Sequence, residues 1–145
     1  RGALGSVDNV HVLGEDAHTA AFPDFGLEIW GRAHTDYDDV NPLDGAPQRS
    51  ARWHVVAGHG HYAEARTPAG KPGPSWLFTT EDIEATGADY VALGHWNRQI
   101  RVGSGTVPAW YSGSPDYART VNVVRLRSSG AVDVTSTPVR GNLPA

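Results

Sequence analysis

Short apolar runs broken by glycine, proline and polar clusters recur along the chain, and this pattern is typical of a strand-rich protein. The predicted strands cover residues 10–14, 19–22, 27–33, 52–62, 90–93 and 107–113. The second and third of these strands flank the turn-rich segment PDFG, residues 23–26, which predicts a hairpin. Two alternating runs within 120–139 surround the segment SSG, residues 128–130, and predict a second hairpin.

Only one segment carries helix signals. Thr79 and Thr80 offer capping hydroxyls, acidic residues follow them in what would be the first turn, and Gly87 provides a stop. These signals predict a short helix over residues 80–86. The polar, proline-containing segments 35–51 and 63–75 are expected to be loops.

Composition narrows the class of protein. The chain has 145 residues, of which 39% are hydrophobic and 19% charged, so we expect one globular domain with a packed core. Cysteine is absent, which excludes disulfides, thiolate nucleophiles and zinc–cysteine sites. The absence of cysteine also predicts a cytoplasmic protein. No apolar run approaches the length of a membrane helix and no signal peptide is visible, so we expect no membrane partner. Arginine occurs eleven times and lysine once, a bias common in bacterial proteins from GC-rich genomes.

Charge gives a weaker indication about partners. The formal net charge is −4, and no linear cluster of basic residues marks a nucleic-acid-binding face. Nucleic acid is therefore disfavoured as a substrate, although it stays among the possibilities. The chain begins Arg-Gly-Ala without a methionine, so we expect it to be part of a longer reading frame.

Two histidines share one sequence context. His59 follows the apolar run WHVVAG and His95 follows DYVALG, so each comes directly after a glycine at the end of a predicted strand. A rigid sheet would hold such side chains at the rim of a cleft, where two imidazoles could share a metal ion. At least one further ligand would be needed, and a carboxylate is the usual one. The alternative is that both Gly-His pairs are simple turns.

His61 and His34 are weaker candidates. His61 lies two residues after His59, so both side chains would point to the same side of an extended strand. It is a candidate ligand or substrate contact, with a plain loop residue favoured. His34 follows a predicted strand and precedes three acidic residues that could help it bind a cation, although a solvated loop is favoured: Asp36, Asp38 and Asp39. His11 and His54 are predicted to be structural strand residues, and His18 a surface residue.

Three segments in this order resemble the calcineurin-like metallophosphoesterases, and most closely their DNA-repair exonuclease branch. They are VVAGHGHY (55–62), DYVALGHWNRQ (89–99) and AWYSGSPDYARTVNVVRL (109–126). The resemblance covers roughly residues 52–127 and implies an α/β fold, a calcineurin-like β-sandwich flanked by helices in four αββα layers. The chain would supply the strand-rich C-terminal half. Residues 1–145 would then be one partial metallophosphoesterase domain whose N-terminal metal-binding half is absent.

The same resemblance implies a site with two divalent metal ions, Mn²⁺ first, with Fe or Zn as alternatives. His59 and His95 would bind the second metal. Asn97 occupies the position where the family usually has a histidine ligand of the first metal, which is a departure from the pattern. The family's Asp-x-His, bridging Asp and Gly-Asn-His elements have no counterpart here, so we assign no catalytic acid or base to this chain.

The expected function is therefore metal-dependent hydrolysis of a phosphoester, as in a phosphatase, phosphodiesterase or exonuclease. The substrate would be a small molecule or a nucleic acid, and the expected protein partner is the N-terminal half or a second copy. One alternative is a degenerate, non-catalytic homologue that serves as a binding or scaffold module. Another is an unrelated β-rich binding domain, which would be supported if His59 and His95 lay far apart.

Overall fold

The computed structural model of the chain describes residues 7–14, 18–34, 41–65 and 76–139. Its ten strands are β1 (Thr19–Phe22), β2 (Leu27–Gly31), β3 (Trp53–His59), β4 (His61–Tyr62), β5 (Leu77–Phe78), β6 (Tyr90–Gly94), β7 (Ile100–Val102), β8 (Ala109–Tyr111), β9 (Thr120–Leu126) and β10 (Val132–Pro138). One α-helix, α1 (Thr80–Ala85), and one 3₁₀ helix (Pro23–Phe25) complete the regular structure of these residues.

Six strands form a mixed sheet in the order β1-β2-β3-β6-β8-β7. The four central strands run parallel to one another, whereas β1 and β7 pair antiparallel at the two edges. Two small sheets lie outside it, the antiparallel hairpin β9–β10 and the parallel pair β4–β5. The carboxyl ends of the four central strands therefore meet at one edge of the main sheet.

The core lies on one face of the main sheet. Val56 of β3 and Val91 of β6 are paired in register, so their side chains point to the same side, and both are fully buried. Ile83 of α1 and Phe78 of β5 pack in the same cluster. Leu43, from the turn segment between β2 and β3, also belongs to it, so a polar-looking loop supplies a core residue.

The hairpin β9–β10 is joined to the main sheet by polar contacts. Asn122 of β9 donates a side-chain hydrogen bond to the carbonyl of Tyr111 in β8, at 3.3 Å. The guanidinium of Arg52, just before β3, donates to the carbonyl of Ser128 in the hairpin turn, at 2.7 Å. These contacts anchor both ends of β9 on the sheet.

The expected four-layer αββα arrangement is wrong. The described residues form mixed and antiparallel sheets with a single α-helix of six residues, and no helical layers flank them. The reason is local, because only the segment starting at Thr79 combines a cap, acidic first-turn residues and a glycine stop. The described connections between the other strands are turns and loops, which cannot supply helical layers.

Most of the predicted elements are confirmed, with shifted ends. Both hairpins and the short helix form as expected. The backbone NH of Thr79 donates to the carboxylate of Asp82 at 2.8 Å and thus begins the helix. The strand expected over 52–62 divides at Gly60, after which the chain leaves the main sheet to pair with β5.

Other expectations are wrong or lie outside the described residues. Residues 10–14 form no strand, and the side chains of Val10 and Val12 are exposed because no neighbouring strand covers them. The short strands β5 and β7 were not predicted from the sequence. Of the expected loops, residues 35–40 and 66–75 lie outside the described part of the chain. No helix in the described part is long and apolar enough to cross a membrane.

A buried ionisable pair connects β2 and β3. Glu28 is 3% exposed and His54 is fully buried, and they are paired in register with Glu28 Oε1 at 2.8 Å from His54 Nδ1. Ser50 donates both its backbone NH, at 2.8 Å, and its hydroxyl to the same carboxylate. Burial raises the pKa of Glu28, but the hydrogen bonds from Ser50 and the neighbouring His54 outweigh it and leave the pKa below 4.5.

We predict that Glu28→Gln destabilises the fold and makes its unfolding free energy depend less on pH in the acid range. A lowered carboxyl pKa in the folded state adds stability that is present above the unfolded value of 4.5 and is lost as the pH falls. At neutral pH the variant should lose about 1–3 kcal/mol of unfolding free energy, measured by urea denaturation. Glu64→Gln, at an exposed glutamate, is the control. An unchanged unfolding free energy in Glu28→Gln would contradict the prediction.

Candidate functional site

Four histidines gather at the edge where the central parallel strands end. His34 follows β2, His59 is the last residue of β3, His61 comes two residues later, and His95 follows β6. Because β2, β3 and β6 are adjacent and parallel, their carboxyl ends lie side by side. This is the edge at which open sheets with parallel strands usually bind ligands.

The four imidazoles form a continuous row in the order His34, His59, His95, His61. The ring centroids are 5.7 Å apart for His34 and His59, 5.4 Å for His59 and His95, and 5.8 Å for His95 and His61. Each pair meets edge to face. The two histidines predicted from their Gly-His context, His59 and His95, are therefore neighbours. The separation of these two residues that would have supported an unrelated β-rich domain is not found.

The glycine before His95 makes room for the ring of His59. His59 is paired in register with Gly94, and a Cβ atom at position 94 would lie only 2.9 Å from His59 Nδ1. Gly94 itself stays in β6, and the unusual backbone falls on the next residue, because His95 has a φ of +122°. Such a φ is unfavourable for a residue with a side chain and is concentrated at functional sites.

His34 was not predicted to join the site. Its ring stacks on Trp76 with the centroids 3.8 Å apart, and its Nε2 donates a hydrogen bond to the carbonyl of His59 at 2.6 Å. Trp76 also has a positive φ, +58°. The one available signal was that His34 follows a strand, which becomes informative only once β2 and β3 are known to be parallel neighbours. The acidic residues considered with it, Asp36, Asp38 and Asp39, lie outside the described residues.

The environment favours the neutral form of the two central imidazoles. Burial lowers the pKa of His59, and the positive charge that His95 or His34 would carry lowers it further. The pKa of His95 is lowered first by burial and then by His61 and His34. A neutral imidazole keeps a lone pair for a metal ion, so both residues are suited to be ligands.

A column of aromatic rings supports the other end of the row. Trp96 stacks on Tyr111 with the ring centroids 4.8 Å apart and the planes 9° from parallel. Its indole Nε1 donates a hydrogen bond to His61 Nδ1 at 3.3 Å. The hydroxyl of Tyr111 donates to the carbonyl of Gly60 at 2.7 Å and accepts the backbone NH of Tyr62 at 3.1 Å. The residues on both sides of His61 are thus tied to the same tyrosine.

A cavity of about 770 Å³ opens beside this column. Its lining includes His61, His95, Asn97, Arg98 and Tyr117. Asn97 and Arg98 are exposed, and the Arg98 guanidinium carbon lies 5.2 Å from the centroid of the Trp96 ring. The cavity therefore offers a cation, a carboxamide and two imidazoles to an anionic ligand.

The described residues contain no complete metal site. Within them, no group of three or more histidine, aspartate or glutamate side chains is arranged to hold a metal ion. His59 and His95 are adjacent, and Asn97 lies two residues beyond His95 in the wall of the cavity. Any complete ligand set would therefore need groups beyond these residues.

The three remaining histidines lie apart from this cluster. His54 is buried within β3, in keeping with its predicted structural role. His11 was expected in a strand, but it lies outside regular structure, with its ring 5.2 Å from that of Phe22. His18 is an exposed residue just before β1, which agrees with its expected surface position.

Comparison with protein-family models, with curated proteins and with solved structures finds no match to this chain.

We predict that His34→Gln raises the pKa of both His59 and His95. The substitution removes a charge that disfavours protonation of both rings, while the amide can still donate to the carbonyl of His59. Both values should move towards 6.5 in an NMR titration of the imidazole protons. The exposed His18 serves as control, since His18→Gln should leave both values unchanged. A fall in the pKa of His59 or His95 in His34→Gln would contradict the inferred electrostatic effect of His34 on these two rings.

Proposed function

We propose that the chain contributes the C-terminal metal-binding half of a metal-dependent phosphoester hydrolase of the calcineurin-like kind. The observation that carries the proposal is the adjacency of His59 and His95, delivered by two neighbouring parallel strands to one sheet edge. Partial burial and the neighbouring histidines lower the pKa of both imidazoles, which favours the neutral form that binds metals. The unfavourable backbone of His95 further supports a functional site here.

Two divalent ions fit this proposal as cofactors, Mn²⁺ first, with Fe or Zn as alternatives. His59 and His95 would hold one ion, and the amide oxygen of Asn97 would be a ligand of the other. Bound metals would supply Lewis acidity and neutralise the charge that develops on a phosphoryl group. The chain's own contribution is to hold its ligands on rigid strands and to lower the pKa of both imidazoles, which favours their neutral form.

The cavity beside the row is the proposed substrate site. Arg98 offers a guanidinium, a strong partner for phosphate oxygens, and His61 offers a further polar contact. Tyr117 is 78% exposed at the same cavity and adds an aromatic surface. A phosphoester that is either a small molecule or part of a nucleic acid would suit this lining. The cytoplasmic location expected from the absence of cysteine belongs to the same proposal.

A degenerate, non-catalytic homologue that acts as a binding module is the second candidate. Two observations favour it, namely the neutral Asn97 in place of an imidazole and the lack of a third His, Asp or Glu ligand among the described residues. An amide oxygen is a weaker donor than imidazole to zinc-like ions. The ligands that would complete an active site would come from an N-terminal half or from a second copy of the chain.

Metal binding tests the proposed ligands. We predict that His59→Ala and His95→Ala each weaken Mn²⁺ binding, measured by titration calorimetry, because each removes a direct ligand. The loss should be at least the roughly tenfold effect caused by removing a group that only orients a ligand. His18→Ala is the matched control, since this histidine lies before β1 and outside the cluster. Equal Mn²⁺ affinity in all four proteins would exclude these ligands.

Hydrolysis separates the two candidate functions. Together with the N-terminal half that the proposal requires, the chain should hydrolyse p-nitrophenyl phosphate or its diester when Mn²⁺ is present. Turnover that disappears in His95→Ala would support the hydrolase. Metal binding without turnover would favour the degenerate homologue.

Asn97 allows a gain-of-function prediction. Asn97→His adds an imidazole at the position where the resemblance calls for one, and imidazole suits Zn²⁺ better than an amide does. Zn²⁺ affinity should rise by about tenfold and Mn²⁺ affinity by less. His34→Asn, which removes an imidazole from the opposite end of the row, should bring no such gain. No change in Zn²⁺ affinity in Asn97→His would show that position 97 does not face the metal.

A further inference from the structure

We infer that Trp96 fixes His61 in the tautomer that carries its proton on Nε2, so that His61 donates a hydrogen bond to the phosphoester and does not bind metal. The inference deepens the proposed function and rests on it for the identity of the ligand. Trp96 is thereby a positioning residue, and His61 is the residue that contacts the substrate.

The tautomer follows from one hydrogen bond. The indole Nε1 of Trp96 lies 3.3 Å from His61 Nδ1 and donates to it. An indole nitrogen can only donate, so Nδ1 must be the acceptor and carries no proton. In a neutral imidazole the single proton is then on Nε2.

This arrangement makes His61 a poor metal ligand. A ligating imidazole nitrogen needs a free lone pair, but the lone pair of Nδ1 accepts the indole proton and Nε2 is protonated. Binding a metal through His61 would require the hydrogen bond to Trp96 to break. His61 is therefore separated in function from His59, although the two are only two residues apart.

The donor is held in place before any ligand binds. Trp96 is fixed by stacking on Tyr111, which is fully buried and bonded to the backbone at Gly60 and Tyr62. These two residues flank His61, so one tyrosine orients both the ring that sets the tautomer and the backbone that carries His61. A donor held in this way needs little reorganisation when an anion arrives.

The position of His61 identifies the group that it would contact. His61 lines the cavity together with His95 and Arg98. An Nε2–H and a guanidinium on the wall of one cavity are two donors suited to the non-bridging oxygens of a phosphoryl group. The proposed metal ligand His95 lies between His59 and His61 in the row, so the donor is placed next to the metal position.

The first experiment measures Mn²⁺ binding alone and then inorganic phosphate binding at saturating Mn²⁺, by calorimetry on the whole chain. His61→Ala should keep the Mn²⁺ affinity of the wild type within about twofold and lose phosphate affinity by about tenfold. His61→Gln, whose amide can donate in place of Nε2–H, should recover part of that loss. Trp96→Phe keeps an aromatic ring on Tyr111 but removes the indole proton, and should weaken phosphate binding by about threefold.

Trp110→Phe in β8 is the matched control for the tryptophan substitution, and its phosphate affinity should equal that of the wild type. Loss of Mn²⁺ affinity in His61→Ala, on the scale seen in His59→Ala, would overturn the inference because His61 would then be a ligand. Unchanged phosphate affinity in both His61→Ala and Trp96→Phe would overturn it as well.

The second experiment distinguishes failure of this inference from failure of the proposed function. Long-range ¹H–¹⁵N NMR spectra of the metal-free chain report the protonation of each imidazole nitrogen. The wild type should show an unprotonated, hydrogen-bonded Nδ1 on His61, and Trp96→Phe should lose the signature of that hydrogen bond. If the wild type binds no metal but shows this signature, the assignment of His59 and His95 as sufficient metal ligands fails while the tautomer assignment holds. A protonated Nδ1 on His61 in the wild type refutes the tautomer.

Discussion

The parallel pairing of β3 with β6, with His59 opposite Gly94, is the constraint on which the site depends. It brings two Gly-His segments, far apart in sequence, to the same sheet edge. It also places the imidazole of His59 where a side chain at position 94 would crowd it, so a larger residue there would displace the His59 ring. A slip of one residue in this register would turn the buried valines outwards and separate the two rings. Core packing and site geometry are therefore fixed by the same hydrogen bonds.

Tyr111 connects this framework to the cavity. Burial raises the pKa of its hydroxyl well above the ordinary value, so the group keeps the proton that it donates to the carbonyl of Gly60. Gly60 is needed at this point because a Cβ atom there would collide with the carbonyl of Trp76. The chain can then leave the main sheet and pair β4 with β5, which presents His61 to Trp96. One buried hydroxyl thus connects the core to the end of the row that holds His61.

Sequence patterns predicted correctly those elements whose formation depends on residues close to one another in the chain. Both hairpins, the helix after Thr79 and the meeting of His59 with His95 follow from alternation, capping and the position of glycine at strand ends. The position of His34 in the row of histidines was not predicted, because it depends on the pairing of β2 with β3. No local sequence pattern indicates this contact. The short strands β5 and β7 carry too few residues for a periodic signal. The helical layers were inferred from a resemblance, and the described segments lack the helix signals that would form them.

The charges of the candidate ligands and of the cavity indicate which kind of group would complete the proposed metal site. The candidate ligands His59, His95 and Asn97 are all neutral donors, and the cavity adds the positive charge of Arg98. A divalent ion held only by neutral donors keeps its full charge, which favours anionic groups close by. Carboxylates from residues beyond this edge would meet that need in a resting enzyme, and a phosphoryl group would meet it in a substrate complex. The proposed phosphoester would therefore match the neutral candidate ligands and the positive charge of Arg98, even though the chain as a whole carries a net charge of −4.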